Sequence, residues 1–358
     1  MIKAADMGAK LLPLDKLGQR FSAIEPLEMV DVSLSDLHVT LPDGWNVGLK
    51  EKASTALTDA TVLVDGESHL LRKSVALDLT SSIGLTREYV AKCPSNLLQP
   101  HVDYWMSQSD KAVRLAMSAG VVTAVARPAV VPLPNADLLA VVLEGFQKKY
   151  GKDVEVVADY KVTATMDKTA VRLIVPEESR KIDSAREDDQ WSLGLDIRNS
   201  LTGKSPLTLS GYMFAWWCTN GAISTHASSG NYNRKTQGQD VNEMLDWARQ
   251  AVDEILGGLE HELDAVQELT TIQLGDDVAA VLQDVFTRYK VPIKQREGIM
   301  DRLLDSDDLT MYGLMQAITS GANDIDLDPA IVQALMTIGG DLPAVASSRC
   351  TECHRIAY

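Results

Sequence analysis

Ala170-Val171-Arg172-Leu173-Ile174-Val175 carries the alternation and β-branched content of a strand, and Pro176 closes it. Working upstream, Val154 onward reads as its partner strand, with a turn at Asp167-Lys168. Downstream, the charged run 177–190 reads as a loop, and residues 191–198 read as the next strand. A turn follows at Thr202-Gly203-Lys204. Leu207 to Cys218 is apolar and stops at Asn220-Gly221. Past Gln237-Gly238-Gln239 the apolar spacing turns helical: Leu245, Val252, Leu256, Leu259 and Leu263 mark one long amphipathic helix. Shorter helices are expected near 277–289, 293–303, 309–320 and 329–337.

The stretch before this region is mixed. Asn135-Ala136-Asp137 caps a helix over 136–149, with Leu138, Leu139, Val142 and Phe146 on one face. Ala112 to Val131 is rich in Val and Ala and reads as strands, and residues 70–106 read as helical with a break at Pro94. The first forty residues read as an arm with one or two short strands, and Thr40 to Trp45 as a turn. The expected fold class is α+β: a mixed domain over 1–235, an acidic all-α region over 236–345 and a flexible tail over 346–358.

Charge follows the same division. The 358 residues carry a net charge of -16, which by itself argues against a nucleic-acid partner. Residues 236–345 hold 21 acids against 6 bases, whereas residues 1–235 hold 28 against 26. The negative charge is therefore one C-terminal block, and the two parts suggest different tasks. No window approaches 18 uninterrupted apolar residues, the N-terminus lacks a secretory pattern, and four cysteines are too few for a disulfide scaffold. A cytoplasmic protein with no membrane partner is expected.

Residues 197–239 contain no Asp or Glu but include Arg198, Lys204, Arg234 and Lys235. Tyr212, Phe214, Trp216, Trp217 and Tyr232 are interleaved with them in a chain only 5% aromatic. Cations neutralise phosphates and exposed rings stack on unpaired bases. On a strand, Tyr212, Phe214 and Trp216 share a face; on a helix, Met213, Trp216 and Trp217 cluster instead. The bland alternative is that these rings are core. The expected nucleic-acid contacts are Arg198, Lys204, Arg234 and Lys235 on phosphates, with Trp216 and Tyr232 stacking on bases.

Other patterns carry less. Gly203-Lys204-Ser205 fails as a phosphate loop, because the glycine required five positions earlier is Arg198. Cys350-Thr351-Glu352-Cys353-His354 resembles a haem-attachment signature, but that chemistry belongs to exported proteins. Cys350, Cys353 and His354 supply three zinc ligands, and a fourth would have to come from Cys93, Cys218 or His226. A disordered tail without cofactor is the simpler reading. His226 sits among hydroxyls without a neighbouring carboxylate, so a hydrolytic triad is not supported. Asp305, Asp307, Asp308 and Asp324, Asp326, Asp328 fit no calcium loop and precede helices, where carboxylates cap amides.

Several of these stretches together resemble one family. They are Leu85-Thr86-Arg87-Glu88-Tyr89-Val90-Ala91-Lys92-Cys93-Pro94, Pro134 to Leu139, Ile197 to Ser205, Trp217-Cys218-Thr219-Asn220-Gly221 with His226, Leu314 to Thr319, and Gly339-Gly340. In order and spacing the chain resembles, over 70–342, the phage- and plasmid-encoded proteins grouped by domain of unknown function 932. It departs from them at Ala124 to Pro128, which lacks an expected Ser-x-x-Tyr. The resemblance implies work on DNA replication, recombination or host takeover, and no defined activity. The combined expectation is a non-enzymatic protein that binds single-stranded DNA, anneals it, and works as a homo-oligomer. The alternative is a module that engages a host or phage protein through its acidic helices.

Overall fold

A computed structural model describes residues 11–24, 28–45, 57–159, 161–187, 189–216, 220–224, 231–324 and 327–347. The chain opens with β1 (Leu11–Leu12) and α1 (Leu14–Ser22), then lays down β2 (Glu28–Ser33), β3 (His38–Thr40), β4 (Leu57–Val64) and β5 (Glu67–Arg72). Helices α2 (Lys73–Ser82), α3 (Arg87–Lys92) and α4 (Ser95–Ser107) follow, and β6 (Ala112–Ser118) and β7 (Val121–Ala126) complete a sheet ordered β2-β6-β7-β5-β4-β3. Two tight turns set its register. Asp65-Gly66 and Ala119-Gly120 all have positive φ, the geometry that matches a two-residue hairpin loop to strand twist. The helical crossover from β5 leaves β5 and β7 parallel, while the other pairs are antiparallel. Val75 and Leu79 of α2, Val90 of α3, and Leu98 and Val102 of α4 bury one face of this sheet with Val62, Leu71, Leu115 and Val122.

The second core starts with α5 (Asn135–Tyr150). Its strands are β8 (Val157–Asp159), β9 (Thr163–Ala164), β10 (Thr169–Lys181), β11 (Gln190–Asn199), β12 (Leu207–Ala215), β13 (Asn220–Ser224) and β14 (Asn231–Arg234). They form a sheet ordered β1-β8-β10-β11-β12-β13, with β9 on β10. Strand β14 continues the edge of β12 beside β13: Gly211 faces Ser224 and Ser210 faces Asn231. Helix α6 (Val241–Leu269) is capped by Asp240, whose carboxylate accepts from the amides of Asn242 and Glu243. It packs closely on α5, where a Cβ on Gly145 would lie 2.4 Å from Val252. Helices α7 (Val278–Arg288), α8 (Ile293–Ser306), α9 (Met311–Gly321) and α10 (Pro329–Ser347) complete the described elements.

The α+β class stands, but the cores do not divide at residue 235. Val252, Leu259, Leu263, Leu314 and Leu335 share one apolar cluster with Leu173, Leu195 and Leu209. The acidic helices therefore cover the second sheet, and the division between cores falls after β7. The arm holds the expected short strands in β2 and β3, and also joins the second core through α1, an unexpected helix whose Leu17 and Phe21 are buried at helical spacing. Strand β10 also runs on to Lys181 through a bulge, shortening the expected loop. A small cluster of Ala116, Ala124, Met166 and Leu201 joins the outer face of the first sheet to turns of the second.

Candidate nucleic-acid interface

The aromatic strand is core. Tyr212, Phe214 and Trp216 lie along one face of the segment through β12, and all are fully or almost fully buried. Phe214 and Trp216 meet edge to face with centroids 5.2 Å apart, and Trp216 Nε1 donates to Ser192 Oγ at 2.6 Å. Trp216 is thereby withdrawn from the stacking role expected of it. Trp217, Cys218 and His226 lie outside the described residues.

Two of the four cations of the acid-free stretch, Arg198 and Lys204, are met by acids from outside it. Arg198 Nε donates to Asp196 Oδ2 at 2.7 Å. Asp196 belongs to a charged row crossing β8, β10 and β11: Arg172 Nε is 3.2 Å from Asp196 Oδ1, and its Nη1 is 3.9 Å from Asp159 Oδ2. These three side chains are at most 5% exposed. Burial works against the Arg172 charge, but Asp196, Tyr212 and Asp159 outweigh it and raise its pKa. Tyr212 donates to Asp159 at 3.2 Å, and burial pushes its phenol well up. Arg198 thus helps to balance a buried carboxylate. Tyr232 donates to Glu254, a bond that with burial pushes its pKa up to about 12, and its ring meets the edge of Trp247. Arg234 donates to Gln239 Oε1 at 2.7 and 3.2 Å and lies over Trp247. Lys235 is exposed.

Lys204 lies elsewhere, at a cleft between the two cores. The turn that carries it needs Gly203 at φ +67, with Val130 and Thr236 packed where a Cβ would stand. Asp78 and Ser82 of α2, Val113, Val125 to Arg127, Val130, Thr202 to Lys204 and Gln237 enclose about 440 Å³. Lys204 Nζ is 2.5 Å from Asp78 and 2.7 Å from Asp167. Burial disfavours its charge, but the two carboxylates win and raise its pKa. Arg87 Nη2 is 2.6 Å from the other oxygen of Asp78, and Lys111 Nζ donates to the Ser82 carbonyl at 2.9 Å. Arg127 lines the cleft, is exposed, and has no ion pair among the described residues. Lys235 lies two residues before Gln237. The turn joins β11 to β12 with no helix after it, so Gly203-Lys204-Ser205 is not a phosphate loop.

Beyond Arg87, α3 carries the half-buried ring of Tyr89 and α4 exposes two rings. Tyr89 stacks on His101 and its hydroxyl is 2.6 Å from His101 Nδ1. Tyr104 and Trp105 are 59% and 49% exposed and meet edge to face. Sequence reading missed Arg87, Lys111, Arg127 and these rings as a site, because each sits among neutralising or apolar neighbours and only the fold gathers them.

Cys350, Cys353 and His354 lie outside the described residues; among those described, no group of three or more His, Cys, Asp or Glu side chains is placed to hold a metal. Asp328 Oδ1 accepts from the amide of Ala330 at 2.7 Å, as expected of a cap. Asp305, however, lies inside α8, Asp307 ends it, and α9 is capped by Thr310, whose hydroxyl donates to Asp308 Oδ1 and accepts from the amide of Gly313. Among the described residues, no helix is long and apolar enough to cross a membrane. No family model matches the chain, and no match was found among curated proteins or solved structures. The resemblance to the domain-932 proteins rests on the quoted residues.

Proposed function

We propose that this chain binds single-stranded nucleic acid at the cleft between its two cores, without catalysing a reaction. The observation that carries this reading is one open, polar cleft lined by Arg127 and Lys204, with Arg87 and Lys111 bound to its wall residues Asp78 and Ser82. Such a groove tracks phosphates, and the exposed rings of Tyr104 and Trp105 offer faces for unpaired bases. The phage and plasmid setting implied by the resemblance fits a strand-annealing role performed by a homo-oligomer. The test is fluorescence anisotropy of a labelled oligo-dT with the full chain at two salt concentrations. Micromolar or tighter binding that weakens with salt supports the reading; no binding at low salt refutes it.

A second reading has its own observation. Ile293, Met300 and Leu304 are exposed on α8, at 79%, 38% and 56%, inside the acidic region. An apolar stripe within an acidic surface suits a basic protein partner. It would be favoured if the chain failed to bind oligo-dT.

A further inference from the structure

Asp78 has the wrong sign for the cleft that it lines. It lies on α2, is only 13% exposed, and divides its two oxygens between cations from different parts of the fold. Oδ1 is 2.6 Å from Arg87 Nη2 and Oδ2 is 2.5 Å from Lys204 Nζ. Two cations closing on the two oxygens of one small anion is the arrangement in which such donors hold a phosphate group. The second carboxylate on Lys204 behaves differently. Asp167 accepts from Thr202 Oγ1 at 2.8 Å and is not among the residues enclosing the cleft.

We propose that Lys204 and Arg87 form a phosphate subsite and that Asp78 is its resident counter-ion, in competition with an incoming phosphate oxyanion. Asp167 holds Lys204 in place from the turn. At rest, Arg87 and Lys204 are balanced by Asp78 and Asp167, whereas Arg127, and Lys111 on the Ser82 carbonyl, have no ion pair among the described residues. A phosphate oxygen that reaches Lys204 meets the Asp78 carboxylate at close range and is repelled by it. The device would suppress binding of isolated anions while admitting a strand anchored at several phosphates. The source of the phosphate rests on the nucleic-acid reading above; the subsite itself does not.

The test uses the full chain as wild type, Asp78→Asn and Asp167→Asn, with two probes: labelled oligo-dT followed by anisotropy, and inorganic pyrophosphate followed by titration calorimetry. Asp78→Asn is expected to bind on the order of tenfold more tightly at low salt, while Asp167→Asn gains no more than about threefold. Tightening for both probes supports the subsite together with the nucleic-acid reading. Tightening for pyrophosphate, with no oligo-dT binding by any form, keeps the subsite and removes the nucleic-acid reading. Unchanged affinity of Asp78→Asn for both probes overturns the proposal, as does an equal gain in the two variants. Asp78→Ser, which also removes the carboxylate, gives the same readout should Asp78→Asn fail to fold.

Discussion

Replacing Arg172 by Met tests the buried charged row of the second sheet. Arg172 is 5% exposed and stands between Asp196 and Asp159, at 3.2 and 3.9 Å, with Gln333 of α10 at 3.3 Å. Removing one partner of a buried pair costs roughly 3–5 kcal/mol, because it leaves an uncompensated charge. The value belongs near the lower end. Asp196 retains Arg198 at 2.7 Å, and Asp159 retains the Tyr212 hydroxyl at 3.2 Å and the Lys161 amide at 3.1 Å. Methionine fills much of the vacated volume, so the cavity contribution is small. A loss of about 3 kcal/mol lowers the melting temperature by roughly 6–12 °C, at ~2–4 °C per kcal/mol for a core of this size. Calorimetry of Arg172→Met at neutral pH measures it directly. Adding Asp159→Asn and Asp196→Asn removes the stranded charges and recovers most of the loss. A single variant melting within about 2 °C of wild type would refute the role given to this guanidinium.

Two further outcomes follow from named contacts. Asp189, 1% exposed, accepts from Trp191 Nε1 at 3.0 Å, Ser184 Oγ at 2.6 Å and the Tyr312 hydroxyl at 2.5 Å. Tyr312→Phe removes one of these donors and should cost about 1.5–3 kcal/mol, read as a lower urea midpoint; an unmoved midpoint contradicts it. Asp31 is held below the ordinary aspartate value of 3.8 by its hydrogen bonds and charge pairing with Arg114. A depressed folded pKa gives stability that is fully present above the unfolded value and lost as pH falls through the folded one. Asp31→Asn should therefore melt below wild type at pH 7, and the gap should close under acid; a pH-independent gap excludes the linkage.

How much could be read in advance depends on the range of each signal. The period-two face of Tyr212, Phe214 and Trp216 was legible because it is local, but which layer it faced was not. Those rings lie in the core because sheet and helices enclose β12 from both sides. The acid-free run misled for a similar reason. Its cations find Asp196 one residue before the run, Glu254 lies on α6 against Tyr232, and Lys204 reaches back to Asp78 and Asp167. Absence of acid from a sequence window is not absence of acid from a surface. Long helices such as α6 were legible from the apolar stripe of Val252, Leu256, Leu259 and Leu263, but not that this stripe is buried on the second sheet. The net charge of residues 236–345 describes the solvent face of those helices and not a domain boundary. The cleft had no local signal at all, since α2, α3, β7 and the β11–β12 turn meet only in the fold.

The cleft and the acid-free run make opposite claims about which arginine matters. Anisotropy of labelled oligo-dT with Arg127→Glu and Arg234→Glu separates them. Arg127 lines the cleft, whereas Arg234 is committed to Gln239 and the face of Trp247. Binding at the cleft requires Arg127→Glu to weaken affinity by at least about tenfold at low salt and to flatten the salt dependence by roughly one to two phosphate contacts. Arg234→Glu should stay within about threefold of wild type. Full affinity in Arg127→Glu, with loss in Arg234→Glu, would contradict the cleft as the binding site.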